Sequence, residues 1–394
     1  MNYPCKTVSL IAFVALLSAG PAFTQAATTE EISNAAAASA VALVYVQTTK
    51  GVNLYDAAAN GKLTLVKGSP FQTVGEMIGS NGKYFITLGT NFVRSYAVET
   101  NGAIGKQVSA INTQDYDGAD CGAGFGTNGA VLDHTGQNLY VMLRYGNPID
   151  GNDCSAVQSF DIAKGSGALA FDGAVVDWNA KGWLAGLPTF TGTDKFVYQA
   201  EPGWGSIAWE GFLRGSNGTI APWSFNVTSP SLPPANGAYV PELMTEDPTN
   251  HLAVAVAPNP DFAEFGNAQL ASYTMDGEGN ITSTNTAKDM PTPAGGVSDM
   301  NMSPSGKLLA VTTGAGLQVY HFNGAGPITP YSGVLKKDCC VALHWDNGNH
   351  LYALGMGSLF VYTVTPTSIA QVPGSPYVIP NNSAEFGLVV VPKL

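Results

Sequence analysis

MSPSGKLLAVTTGAGLQVYHFNGAGPITPYSGVL, running from Met302 to Leu335, reads as four short strands joined by tight turns. A brief strand ends in Ser303-Pro-Ser-Gly306, and an apolar strand follows from Leu308 to Thr312. Gly314-Ala-Gly316 reverses the chain into the alternating segment Leu317 to Phe322, and Gly324-Ala-Gly326 reverses it once more. Turns rich in glycine and an apolar period of two favour hairpins over helices. The unit is therefore one up-and-down four-stranded sheet.

The same plan recurs along the chain. Ile78 to Ile111 carries Ser80-Asn-Gly82, the strand Tyr84 to Leu88 and the turn Asn101-Gly102. Ala130 to Val176 carries His134-Thr-Gly136, Leu139 to Leu143 and Val157 to Ile162. Further copies run from Leu187 to Val227, Leu243 to Thr286 and Val341 to Ile379. The first copy, Leu43 to Phe71, lacks an opening strand, and an unclaimed one stands at the far end of the chain, Phe386 to Val391. A ring whose first unit is completed by its last strand leaves no open sheet edge. An open solenoid would instead need a polar cap at each end. These residues predict an all-β, seven-bladed propeller with four-stranded antiparallel blades, occupying residues 43–394 as one domain.

Residues 1–26 read as a secretory signal peptide. Lys6 gives a positive start, Val8 to Leu17 is apolar apart from Ser9, and Thr24-Gln25-Ala26 offers a small-residue cleavage site. Ser18, Gly20 and Pro21 interrupt the run before it reaches membrane-spanning length. Residues 27–42 form an Ala-rich leader with no evident chemistry. The expectation is a secreted or periplasmic monomer without a transmembrane segment. Four cysteines follow the signal, Cys121, Cys154, Cys339 and Cys340, and an even count in an exported chain favours disulfides. Their spacing matches no zinc signature. The preferred pairing is Cys121 with Cys154 and a vicinal Cys339–Cys340 bridge, with bridges between the two clusters as the rival.

The formal net charge is −12, and the chain holds only Arg94, Arg144 and Arg214 as arginines. Nucleic acid, which needs a basic stripe, is excluded as a partner. The same shortage disfavours phosphorylated ligands.

Ser303-Pro-Ser-Gly-Lys-Leu-Leu-Ala-Val311, with Gly68-Ser-Pro-Phe71 and Gly374-Ser-Pro-Tyr377, resembles the lactonase-type seven-bladed propellers. That family includes bacterial 6-phosphogluconolactonase and fungal muconate-cyclising enzymes, and the resemblance spans nearly the whole mature chain. It implies the propeller fold and, by analogy, a lactone-hydrolysing activity. The enzymatic members carry His and Arg around the channel, often after a Pro-His step, and this chain has no Pro-His. Their catalytic set does not transfer.

In an up-and-down blade, the loop between the second and third strands shares a face with the link to the next blade. Nearly all long segments fall on that face, and long loops gathered together mark a binding side. The candidates there are Asp120, Asp150, Asp153, Trp183, Glu201, Trp204, Asp261, Glu264 and Phe265. Carboxylates beside aromatic rings suit a small molecule, a carbohydrate or a protein partner. Asp115-Tyr-Asp-Gly-Ala-Asp120 resembles the start of a calcium loop but lacks its closing Glu. A vicinal disulfide occurs beside the cofactor of exported quinone-dependent propellers. Those proteins repeat Trp-rich motifs in every blade, which six unevenly spaced tryptophans do not match, and no cofactor is expected. Among the histidines only His344 falls in a predicted innermost strand. Two functions follow: a binding scaffold acting through the long-loop face, or a hydrolase of a non-phosphorylated lactone.

Overall fold

The computed structural model describes residues 40–393 except 117–126, 146–153, 178–186, 204–205, 232–238, 259–267, 356 and 381–384. The signal peptide and most of the leader therefore lie outside the described residues. Within them the chain forms seven sheets, each built on four antiparallel strands, with a fifth strand added in parallel at the outer edge of blade five. The innermost strands of blades one to seven are Glu385–Pro392, Glu76–Ser80, Thr127–Leu132, Thr189–Phe190, Tyr239–Glu246, Val297–Met302 and Ala342–Trp345. No described helix is long and apolar enough to cross a membrane.

Ring closure follows the predicted route. Glu385–Pro392 pairs antiparallel with Ala40–Thr48, setting Leu43 opposite Val391 and Tyr45 opposite Val389. The first blade begins at Ala40, so the end of the Ala-rich leader belongs to the sheet. One boundary differs from expectation. Val227, read as the end of blade four, lies in the strand Val227–Thr228, which pairs parallel with Ile281–Thr282 and belongs to blade five.

The core is a set of layers between blades. Seven separate clusters of buried apolar side chains correspond to the seven blade interfaces, as when Ile86 meets Val141 or Tyr198 meets Val254. Each second strand is covered on both sides, which is why Leu308–Thr313 and Tyr84–Leu88 are buried throughout and read as continuous apolar runs.

Hydroxyl groups latch each blade to the next. Tyr45 Oη donates to the Gly102 carbonyl at 2.8 Å, Tyr140 to Gly218 at 2.6 Å and Tyr198 to Gly279 at 2.7 Å. Ser95 Oγ donates to the Gly167 carbonyl at 2.6 Å and Ser272 Oγ to that of Gly326 at 2.9 Å. The acceptors lie in or beside the turns before the fourth strands. Gly218 and Gly279 have φ of +89° and +84°, and a β-carbon there would strike Asn138 and Phe196 of the preceding blade.

Candidate functional site

The short-turn face is occupied by structural contacts. Asp247 and Asp346 each hold the turn after an innermost strand, accepting from His251 N at 3.0 Å and His350 N at 2.8 Å. Their other oxygens meet the Nδ1 atoms of the same histidines at 3.0 and 2.8 Å. Arg214 Nη2 donates to Asp133 Oδ2 at 2.6 Å and to Asn138 Oδ1 at 2.7 Å, while its Nε donates to Tyr140 Oη at 2.9 Å. It clamps blade four to blade three. His134 spans three blades, with Nε2 3.1 Å from Glu246 Oε1 and Nδ1 2.6 Å from Asp194 Oδ1. The Asp194 contact has the distance of an ion pair but lies off the line of a hydrogen bond. These two carboxylates raise His134 to about 10. His321 stacks on Tyr331 at 4.1 Å.

His344 alone stands on an innermost strand, as its sequence position predicts. Its Nδ1 lies 2.9 Å from the Trp345 carbonyl, which can only accept. The neutral ring therefore carries its proton on Nδ1 and leaves Nε2 as an acceptor. Burial holds the imidazole below its ordinary value and keeps it neutral.

Asp299 lies on the adjoining innermost strand. Its Oδ2 accepts from Leu343 N at 3.1 Å, and its Oδ1 accepts from Met300 N at 2.8 Å. Burial raises its carboxyl to about 6, against the opposing pull of the Leu343 and Met300 amides. Burial likewise raises Glu242, on the innermost strand of blade five.

The backbone places these groups. Pairing between innermost and second strands slips by one residue at Met77/Gly79, Thr127/Gly129, Pro241/Leu243 and Val297/Asp299. A bulge leaves one residue unpaired and re-aims its neighbours. Glu242 is the extra residue in blade five, and Asp299 immediately follows the extra residue in blade six.

Apolar side chains surround the long-loop end of the same strands. Phe386 and Val341 begin or precede two of them, Val74 and Leu187 precede two others, and all four are exposed. Immediately before Val341, Cys339 and Cys340 form the expected vicinal disulfide across a cis peptide. Cys339 is buried, packed with Leu317, Leu343 and Phe360.

The sequence-selected residues are placed as follows. Asp120, Asp150, Asp153, Trp183, Trp204, Asp261, Glu264, Phe265 and Cys121 lie outside the described residues. Cys154 opens a third strand, Cys154–Ile162, but its side chain is outside the description. Glu201 was expected to open a loop, yet the second strand of blade four runs Phe196–Gly203 and pairs Glu201 with Ala208. Asp115 ends a short 3₁₀ turn, where Asn112 Nδ2 donates to its carboxylate at 3.0 Å. Asp117 and Asp120 of the calcium-like stretch lie outside the described residues, and no group able to hold a metal occurs among the described ones. Sequence reasoning found His344 but missed Asp299, Glu242 and the apolar collar.

No family model and no curated protein matches the chain. Solved structures do. A periplasmic gluconolactonase from Pseudomonas aeruginosa aligns at 12% identity over 89% of this chain and 99% of its own, with a TM-score of 0.60. A protein of Bacteroides uniformis provisionally assigned as a 6-phosphogluconolactonase gives 12% identity, coverage of 89% and 100%, and 0.59. A Lactobacillus plantarum protein gives 14%, coverage of 89% and 99%, and 0.60. The chain shares the seven-bladed fold of lactonase-type propellers.

Proposed function

We propose that this chain is an exported, lactonase-like propeller that binds a small, non-phosphorylated ligand at the long-loop mouth of its central channel. One observation carries the reading: exposed apolar side chains lie on or just before some innermost strands, and half-buried ionisable groups lie on others of the same ring. Phe386, Val341 and Val74 supply an apolar rim on consecutive blades, while Glu242, Asp299 and His344 supply a polar sector. Mixed walls of this kind fix small ligands by apolar contact and orient them by a few polar groups. Arg214 is committed to Asp133. Export, a monomeric state and a Cys121–Cys154 bridge belong to the same proposal, and non-reducing peptide mapping decides the bridge.

The reading is tested by calorimetric titration of the full chain with sugars, sugar lactones and sugar phosphates. Binding of an uncharged ligand that weakens at least tenfold in Phe386→Ala and Asp299→Asn supports it. Preference for the phosphorylated analogue, or insensitivity to both variants, rejects it.

A second reading, lactone hydrolysis, is favoured by Asp299. A carboxyl near 6 exchanges protons readily at neutral pH, and His344 on the next strand presents an unprotonated Nε2. Alkali uptake in a pH-stat with a non-phosphorylated sugar lactone would show it, and a rate unchanged by Asp299→Asn and His344→Gln would reject it.

A further inference from the structure

The link between blades six and seven carries two adjacent cysteines and is tied down on both sides of them. Before them, Lys336–Lys337 pairs antiparallel with Gly316–Leu317 of blade six. After them, Val341 N donates to the Leu354 carbonyl at 2.7 Å, and Leu343 N donates to Asp299 Oδ2 at 3.1 Å. Cys339 and Cys340 therefore occupy the crossing itself. Cys339 is buried in the apolar layer that contains Leu343, and Cys340 is half-buried beside it. A β-carbon on Gly355 would lie 3.1 Å from Cys340 Cα and 3.8 Å from Cys339 Sγ, so the pair is seated directly on the backbone of blade seven.

The bond between them contributes little to the fold as a whole. A disulfide restrains the unfolded chain by an amount that grows with the loop it closes, and adjacent residues close the shortest loop there is. Its effect is local. It holds the two residues that set the entry of Ala342–Trp345, the strand carrying Leu343 and His344. Thiol–disulfide exchange needs a sulfur that can be reached, and Cys340 is the more open of the two. The bond can thus be opened without unfolding a blade.

We propose that Cys339–Cys340 is a redox switch on the channel mouth, its reduction by a dithiol loosening the hydrogen bond from Leu343 to Asp299. One thiolate of the dithiol attacks Cys340 Sγ. The S–S bond breaks, and its electron pair leaves with the Cys339 sulfur, which takes a proton. The second thiol, losing its proton, then attacks the mixed disulfide, closes the reductant's own disulfide and releases Cys340 as a thiol. The chain gains two electrons and two protons, and the dithiol loses them. With the ring open, residues 339 and 340 regain rotation, and the strand entry that presents Leu343 N to Asp299 is no longer fixed. As regulation of a binding site the proposal rests on the channel-mouth reading, but its test needs no ligand, so either can fail without the other.

The test is hydrogen exchange, read by mass spectrometry on the full chain before and after dithiothreitol. Alkylation and peptide mapping identify the cysteines that have opened. Reduction of the pair should speed exchange of the Leu343 amide at least tenfold and leave the amides of Ala40–Thr48 unchanged. The Asp299 carboxyl, followed by carbon-13 NMR, should titrate higher by about half a unit or more, because one of the two amides that favour its charged form is withdrawn. Cys339→Ala with Cys340→Ser should match the reduced protein and ignore dithiothreitol. Circular dichroism confirms that each form is folded, and if the double variant is not, the wild-type comparison decides alone. A pair that dithiothreitol cannot open in the folded chain, or Leu343 exchange unchanged once it is open, would overturn the proposal. So would a folded double variant that behaves as the oxidised protein or still responds to the reductant.

Discussion

Asp299, on the innermost strand of blade six, accepts a hydrogen bond from the backbone N–H of Leu343, on the innermost strand of blade seven, across 3.1 Å. The free edge of an innermost strand leaves backbone groups facing the channel, and buried ones must find partners. Side chains of neighbouring blades supply some of them. Thr245 Oγ accepts from Met302 N at 3.3 Å, and Gln47 Oε1 accepts from Met77 N. Asp299 differs from these because it can also carry a proton. One side chain thus ties two blades together and gives the channel wall a group that titrates near neutrality.

This arrangement fixes a pH dependence. The folded carboxyl of Asp299 titrates at about 6, above the ordinary aspartate value of 3.8. The native state therefore holds the proton more tightly than the unfolded chain, and stability falls as pH rises from about 4 to about 6. The loss amounts to roughly 3 kcal/mol once Asp299 is ionised, taking about 1.4 kcal/mol per pKa unit. Asp299→Asn removes the titration, so the stability difference between variant and wild type should grow in the variant's favour across that window. Urea denaturation at pH 4, 5, 6 and 7 measures it. Parallel curves at all four would refute the assignment.

His134 gives a dependence of the same sign at the alkaline end, with the charged rather than the neutral form as the one favoured by folding. Asp194 and Glu246 raise it to about 10, so its charged form is favoured in the folded state. The contribution is fully present below the unfolded value near 6.5 and disappears as pH rises through about 10. The ring is well exposed, so solvent screening keeps the gain small. His134→Gln should lower the melting temperature at pH 6 more than at pH 10.5. A shift of equal size at both would show that the bridge acts without its charge.

The fold was legible because its signals are local. Turn glycines and doubly covered second strands recur within each unit, and the missing first strand has a counterpart in Phe386 to Val391. Val227 was misassigned because the parallel partner of its strand, Ile281–Thr282, is remote in sequence, and a two-residue strand has no periodicity of its own. The site was harder to see. Asp299 and Glu242 are single carboxylates in short strands, and their importance depends on which strand is innermost and where a bulge falls. His344 could be found because histidines are few. Glu201 looked like a loop residue beside Pro202 and Gly203, yet those residues extend the strand to Gly203.

The latches explain why the turn glycines are needed. Removing the Tyr198 hydroxyl with Tyr198→Phe leaves the Gly279 carbonyl without its 2.7 Å donor, at a cost of about 1 kcal/mol. Gly279→Ala should cost more, about 2 kcal/mol or above, since φ is +84° and the new methyl meets the Phe196 ring. Gly277, two residues earlier in the same turn, has open space around it, so Gly277→Ala should stay within about 0.5 kcal/mol of wild type. Thermal unfolding of the three variants tests this order. Equal effects at Gly277 and Gly279 would mean that the turn, and not its seat against blade four, sets the requirement.

Ring closure makes the strongest demand on stability. Glu385–Pro392 is the innermost strand of blade one, and Val390 is buried with Val44, Val46 and Leu354 in the layer shared with blade seven. Deleting residues 385–394 would open the edge of Ala40–Thr48 and uncover apolar side chains on two interfaces at once. Unpaired edges with apolar faces invite association between chains. The truncated protein should melt at least 10 °C lower or aggregate on expression. Val390→Asp is the milder form of the same experiment, placing an unpaired carboxylate in an apolar layer at a cost of about 3 kcal/mol or more. Because it keeps the backbone pairing, it separates the packing contribution from that of the strand itself. If the chain lacking residues 385–394 unfolds cooperatively at the wild-type temperature, the terminal strand does not hold the ring closed.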